Sequence, residues 1–361
     1  MIAAEMIAAE QAERGSARLA CLDARGVVRH WPRAALASLF EPGDLVVAND
    51  AATLPASLAG THCPSGAAIE VRLAGWISAG DWTRFAAIAF GAGDHRTRTE
   101  DREPPPPLSP GDRLALGPLV ATICSFPGHP RLFGLRFSGS RAAILGGLAR
   151  HGRPIQYAHV GRTLALWDVW TGIAADPIAF EPPSAGFALQ WGTLAAWRQR
   201  GIGFATLTHA AGISSTGDAM LDAELPFDEP YRIPAPTAAA IARARARRGR
   251  IVAVGTSVVR ALEAAADATG GVRAGEGVAR GRIARGTRLR VADAILTGVH
   301  QPGESHFELL RAFTGDAALA RICAAVAGRG YRTHEFGDSM LIERERGSRG
   351  AGGRNGVRWA A

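Results

Sequence analysis

Apolar and polar positions along the chain follow two rhythms. Near the start, Ser16–Leu22 and Val27–His30 alternate or run apolar, separated by Asp23-Ala24-Arg25-Gly26, which is hairpin-turn chemistry. A short helix is expected over about Ala34–Phe40. Glu41-Pro42-Gly43-Asp44 then turns the chain into the apolar run Leu45-Val46-Val47-Ala48, which ends at Asn49-Asp50. From about residue 58 to 140 the rhythm changes. Ala67–Leu73, Arg84–Phe90, Arg113–Leu116, Leu119–Cys124 and Leu132–Phe137 read as short strands between turns rich in Gly, Pro and Asp. Short strands at close spacing predict a small antiparallel barrel or sandwich.

A helix over Arg141–Arg150, stopped by Gly152 and Pro154, leads back to mixed patterning. The rigid Pro182-Pro183 turn precedes a helix expected over Ala188–Arg198. A strand over Ile202–Thr208, a helix over Thr237–Arg248 and a strand over Ile251–Val254 follow, with helical spacing from Val258. Gly270–Arg288 reads as a loop, and Leu289–Val299 as β-leaning. Helices over about Ser305–Phe313 and Asp316–Ala327 precede a last strand, Ser339–Glu343. The fold class expected is α/β: a larger α/β domain over 1–57 and 141–343, with a small antiparallel β-barrel domain inserted over 58–140. The Gly/Arg/Ser-rich tail, 344–361, is expected to be disordered.

Composition narrows the function. With 361 residues, 47% hydrophobic and 20% charged, the chain has the make-up of a soluble globular protein. All 41 basic residues are arginine, which excludes a lysine Schiff base and a Walker-type phosphate loop. The net charge of +8 suits a polyanionic partner such as RNA. Cys21, Cys63, Cys124 and Cys323 are scattered without a Cys-x-x-Cys pair, so no structural zinc, no disulfide framework and no metal are expected. No segment approaches the ~18 apolar residues that span a bilayer. Met1–Glu10, a doubled and helix-prone Met-Ile-Ala-Ala-Glu, lacks the pattern of a signal peptide. A cytoplasmic monomer without membrane contact is the expectation.

Candidate chemistry gathers at strand ends, where open α/β sheets bind ligands. Asn49-Asp50 ends one strand. His209, with Gly212 beyond it, ends another, and His300, Pro302 and Ser305 follow a third. Gly255-Thr256-Ser257 joins a strand to a helix and leaves free N–H groups able to hold a polar ligand edge. Each has a structural alternative: such turns occur without ligands, Asn and Asp cap turns, and a histidine at a strand end is often a satisfied core group. Arg243 and Arg247, one turn apart, form either a phosphate-contacting patch or a solvated face.

The order of these segments carries a resemblance. Ala253-Val254-Gly255-Thr256-Ser257-Val258-Val259-Arg260-Ala261-Leu262-Glu263 is its closest stretch. Val291–Pro302, Phe336-Gly337-Asp338-Ser339-Met340, Ser16-Ala17-Arg18-Leu19 and Pro42–Asp50 complete it. Together they resemble the S-adenosylmethionine:tRNA ribosyltransferase-isomerase family of queuosine biosynthesis. The resemblance implies transfer and isomerisation of the ribosyl group of S-adenosylmethionine to a 7-aminomethyl-7-deazaguanine base in tRNA, giving epoxyqueuosine. That chemistry needs a base to take a proton beside the sulfonium, donors to the departing adenine, and a site that excludes water.

At motif positions His209, Glu229 and His300 are the expected catalytic residues. Asn49, Asp50, Ser184, Gly186, Phe187, Gly212, Gly255, Thr256, Ser257, Arg260, Pro302, Ser305 and Asp338 are the expected substrate-binding ones. Thr256, Ser257 and Arg260 would orient ribose or carboxylate oxygens, and Phe187 or Trp170 would face the sulfonium. The sequence departs from the family's motifs at four points, one of them Gly298-Val299-His300-Gln301-Pro302 in place of Asn-Phe-His-Leu-Pro. Ala51-Ala52-Thr53 stands for Thr-Arg-Val, Ala188 for a histidine, and Phe227 for another histidine. A divergent paralogue is therefore expected, with two alternatives to the family reaction. One is an enzyme using S-adenosylmethionine or another nucleoside on a different acceptor. The other is a non-catalytic RNA- or nucleoside-binding protein.

Overall fold

The computed structural model describes residues 16–78 and 80–345. The helix-prone start and all of the expected disordered tail except Arg344 and Glu345 lie outside these residues. Leu45–Asn49 and Ile251–Val254 are buried along their whole length, as central parallel strands covered on both faces must be. With Gly203–His209 and Ala294–Gly298 they form four parallel neighbours of a nine-stranded sheet. Ser339–Glu343 runs antiparallel to Ala294–Gly298, and Arg18–Leu22 and Val28–Pro32 complete that side. Glu229–Ile233 and Gly275–Ala279 extend the other side antiparallel.

The sheet has a helical cover on each face. One apolar cluster joins its strands to Ile241 and Ala244 of helix Ala235–Ala246, to helix Thr256–Ala264, and to Ser305–Leu310 and Asp316–Gly328. The opposite face packs on Leu36 and on Trp197 of helix Trp191–Gln199, whose indole N–H donates to the Leu36 carbonyl at 2.8 Å.

The inserted segment forms a closed barrel of six antiparallel strands: Ser57–His62, Ala68–Trp76, Arg84–Phe90, Arg113–Leu116, Leu119–Ser125 and Leu132–Phe137. The sequence pattern supplied all but Ser57–His62, whose polar Ser, Gly and Thr hide its role in closing the barrel. Helix Arg141–His151 packs Ile144 and Leu148 into the barrel core.

Local corrections follow from pairing that the pattern could not show. Ser184–Ala188 is a tight 3-10 turn, and the following helix begins at Trp191 instead of Ala188. The helix after Gly255 begins at Thr256, ahead of Val258. Gly270–Arg288, read as loop, contains the strand Gly275–Ala279, held on Glu229–Ile233 by backbone bonds in spite of its glycines.

Candidate active site

Because the four central strands are parallel, their carboxyl ends meet at one edge. Asn49, His209, Gly255 and the segment Gly298–His300 lie there. Ser339 pairs with Gly298 and Leu19 with Ser339, so Asp338 and Arg18 reach the same edge from the antiparallel side. The expected gathering of strand-end residues at one sheet edge is what the topology produces.

The expected residues fall into two environments. Asn49 is buried and knits strand ends together. Its Nδ2 donates to the His209 carbonyl at 2.9 Å and to Ser257 Oγ at 3.3 Å, and its Oδ1 accepts from the N–H groups of Ala51 and His209. His209 is fully buried, and neither ring nitrogen has a hydrogen-bond partner among the described residues. Its Nε2 lies 3.4 Å from Glu229 Oε2, and burial pushes the imidazole down to about 4 against the pull of that carboxylate.

Glu229 is itself buried, accepting the Gly212 N–H at 2.7 Å and Arg260 Nε at 3.0 Å. Arg260, expected to orient a ligand, is turned inward. Besides Glu229 it donates to the carbonyls of Phe227 and Ala279 at 3.0 Å and to that of Gly281. Asp338 is likewise committed, accepting from the Arg18 guanidinium at 2.8 Å and from the N–H groups of Arg18 and Arg332. Asp50 accepts the Thr208 hydroxyl at 2.7 Å.

The second environment is open. A cleft at the sheet edge is lined by Arg33, Ser184, Ala185, Phe187, Gly298, His334, Glu335 and Phe336, together with Asp338 and Ser339. Phe187 packs on Phe336 with ring centres 5.6 Å apart, whereas Trp170 donates its indole N–H to the Thr53 carbonyl at 2.9 Å. Gly186 lies against Thr171, where a Cβ would meet the threonine Cγ2 at 2.9 Å. Gly255 begins the helix with φ 92° and ψ 158°, a region open only to glycine, and its missing Cβ leaves room beside Ala185. Thr256 and Ser257 are half-buried in the first turn of that helix. His300 is half-buried, with Nε2 2.7 Å from the Thr297 hydroxyl and its ring stacked on His306 at 5.1 Å. Ser305 opens the next helix, and Pro302 is exposed.

Sequence reasoning missed a group of titratable side chains beside this cleft. His159 Nε2 lies 3.0 Å from Glu335 Oε2, and the His159 ring stacks on His334 at 4.4 Å and on Tyr157 at 6.3 Å. Tyr157 donates to Glu181, which also accepts the Ser214 N–H at 2.9 Å. Glu181, His159 and Glu335 line a second cleft that shares Glu335 and Phe336 with the first. The signal available was the pair His334-Glu335 directly before the Phe336-Gly337-Asp338 motif.

Burial acts to raise the Glu335 carboxyl, but the His159 hydrogen bond and charge, a backbone N–H and the charge of His334 together outweigh it and hold that group below its ordinary range. Burial lifts Glu181 to about 7 in spite of its hydrogen bonds, and burial together with the charge of His159 pushes His334 down. Ligand atoms of His159, His334 and Glu335 lie within 4.8 Å of one another, close enough to suggest an ion site. The two imidazole planes are only 25° apart, however, so their in-plane lone pairs run side by side instead of converging. That arrangement does not suit gripping an ion, and the hydrogen bond within the group is the one between His159 and Glu335.

The profile of one family, described as queuosine biosynthesis protein, matches residues 1–342. The S-adenosylmethionine:tRNA ribosyltransferase-isomerase of Sorangium cellulosum is 32% identical over 351 residues, covering 91% of this chain and 93% of its own. The enzyme of the same name from Citrifermentans bemidjiense is 33% identical over 349 residues, with 94% and 96% covered. The crystal structure of an S-adenosylmethionine tRNA ribosyltransferase from Thermotoga maritima is similar in fold. It has a TM-score of 0.50 and 23% identity, and the match covers 95% of this chain and 98% of that one. With the family profile spanning nearly the whole chain and relatives above 30% identity along it, the chain belongs to the queuosine biosynthesis protein family.

Proposed function

We propose that this protein is an S-adenosylmethionine:tRNA ribosyltransferase-isomerase, moving and isomerising the ribosyl group of S-adenosylmethionine onto a 7-aminomethyl-7-deazaguanine base in tRNA. The observation that carries the reading is the name shared by relatives 32–33% identical across more than nine-tenths of the chain. The site is compatible with it. Arg33 is the cationic group on the cleft and suits the carboxylate of the methionine moiety, while Phe187 and Phe336 give apolar and π surface for the sulfonium. Thr256 and Ser257, at the helix start opposite, supply hydroxyls and N–H groups for ribose oxygens. S-Adenosylmethionine is the donor substrate in this reading, and no metal is assigned a role. No helix among the described residues is long and apolar enough to cross a membrane, and we assign the protein to the cytoplasm as a monomer acting on tRNA.

A second reading, the same donor with a different acceptor, is favoured by one observation. Ala52 and Ala188 are buried, and Phe227 packs on the barrel core, where the family pattern has an arginine and two histidines. Those positions here are apolar packing without polar capacity toward a base. Adenine release from S-adenosylmethionine, followed by chromatography with and without deazaguanine-modified tRNA, tests both readings. Release dependent on tRNA is the expected result. Release only with a small-molecule amine moves the assignment to the second reading, and no release under any condition overturns both.

A further inference from the structure

His209 and Glu229 occupy the positions where the family resemblance placed proton transfer, yet both are sealed. His209 is fully buried, Glu229 is held by Arg260 and Gly212, and neither lines either of the two clefts described above. A general base must come within hydrogen-bond reach of the proton it takes. The histidine and glutamate side chains that line those clefts are Glu181, His159, His334 and Glu335. They come from chain segments far apart in sequence and converge beside Phe336. His334 also holds an αL-type backbone at φ 67°, uncommon for a residue with a side chain, which sets its ring face to face with His159.

We propose that His334, with Glu335 and His159 beside it, takes a proton from a ligand lying across these two adjoining clefts, and that Glu181, held on Tyr157, gives one. The inference rests on the reading of the protein as an S-adenosylmethionine enzyme. In that reaction a C–H bond beside the sulfonium breaks and its proton passes to the His334 imidazole. The electron pair stays on the carbon, stabilised by the adjacent positive sulfur. When adenine leaves, it takes the electron pair of its bond to ribose, the ring oxygen shares a lone pair with the sugar carbon left behind, and the Glu181 carboxyl supplies the proton that adenine takes up.

The environments support this division. Environments that push two acids apart in strength mark one as donor and the other as acceptor. Here Glu335 faces the His159 and His334 rings and is held ionised, while Glu181 faces Tyr157, Ser214 and Glu335 and titrates at about 7. His334 faces His159, Glu335, Glu304 and His300, and its burial favours the neutral imidazole that can accept a proton.

Two assays on the full chain separate this inference from the reading beneath it. One is adenine release in the presence of modified tRNA. The other is exchange of the sulfonium-adjacent hydrogens of S-adenosylmethionine with deuterium from solvent. His334→Gln and Glu335→Gln are expected to slow both about 100-fold in kcat, with KM for S-adenosylmethionine within about threefold of the native value. Glu181→Gln is expected to slow release, leave exchange in place, and flatten the alkaline fall of the release profile near pH 7. Thermal melting within a few degrees of the parent shows that each variant folds. Release and exchange unchanged in His334→Gln and Glu335→Gln overturn the proton-transfer assignment while leaving the enzyme reading intact. Exchange that is lost in His334→Gln, in a protein that never releases adenine, upholds the assignment and overturns transfer. A native protein showing neither exchange nor release overturns both.

Discussion

Two histidine–carboxylate groupings lie near one edge of the same sheet, and their surroundings separate them. In the inner one, Glu229 spans Arg260, Gly212 and His209 behind the strand ends, with Glu229, Arg260 and His209 buried. In the outer one, His159, His334 and Glu335 border open clefts. The inner set makes an ion pair whose hydrogen bonds tie Glu229–Ile233 to helix Thr256–Ala264 and to the carbonyls of Phe227 and Ala279. The outer set has the same chemistry with a route to ligand. Residue type alone does not distinguish scaffold from machinery; the path to solvent does.

The largest expected difference between the groupings is in stability. Arg260→Ala leaves Glu229 charged, buried and short of its guanidinium, a loss that costs about 3–5 kcal/mol. Glu335→Gln, at a half-buried position, is expected to cost less than about 1 kcal/mol. Urea unfolding of the two variants measures the gap. Equal losses would erase the distinction between a sealed and an open grouping.

Protonation gives the next largest contrast. The His209 imidazole is pushed from 6.5 down to about 4 by burial, with Arg260 adding to the shift and Glu229 opposing it. The unfolded chain therefore binds a proton more readily than the folded one between those values. Stability is constant above pH 6.5 and falls as pH drops from 6.5 toward 4, by about 3 kcal/mol for this one group. His306, also pushed down to about 4 by burial, adds a smaller loss of the same sign because it is only half-buried. His209→Gln is expected to flatten most of the acid-side decline in unfolding free energy. An unchanged decline would mean that His209 is not the group being protonated.

How much of this was legible in the sequence depends on what holds each part. Ile251–Val254 was readable to the residue, because a strand buried on both faces is apolar along its length, and the apolar Met340–Ile342 marked the last strand between polar ends. Glu229–Ile233 was not, since Glu-Pro-Tyr-Arg-Ile has no strand rhythm and exists through pairing with strands on either side. The site divides in the same way. Gly255, Thr256 and Ser257 are local to one turn, so their geometry follows from the strand–glycine–helix pattern. His159 and Glu335 are 176 residues apart and meet only in the folded chain. The strand-end reading put His209 at the sheet edge and motif position singled out Glu229, but the burial of both has no local signature.

Ser257 stands between the two groupings, and the smallest expected effect tests where it belongs. Its hydroxyl accepts from Asn49 Nδ2 at 3.3 Å, a long bond beside the 2.9 Å one that the same amide makes to the His209 carbonyl. Removing the hydroxyl leaves Asn49 anchored, so Ser257→Ala is expected to change unfolding free energy by only about 0.5 kcal/mol. The same hydroxyl lies in the first turn of the helix after Gly255, where a ribose oxygen would sit in the proposed complex. Losing that contact weakens S-adenosylmethionine binding about tenfold, equivalent to about 1.4 kcal/mol. Calorimetric titration and urea unfolding of one variant give both numbers. A larger change in binding than in stability assigns Ser257 to the ligand side. The reverse would make the strand–glycine–helix turn part of the sealed scaffold, with its hydroxyl serving Asn49 instead of the donor.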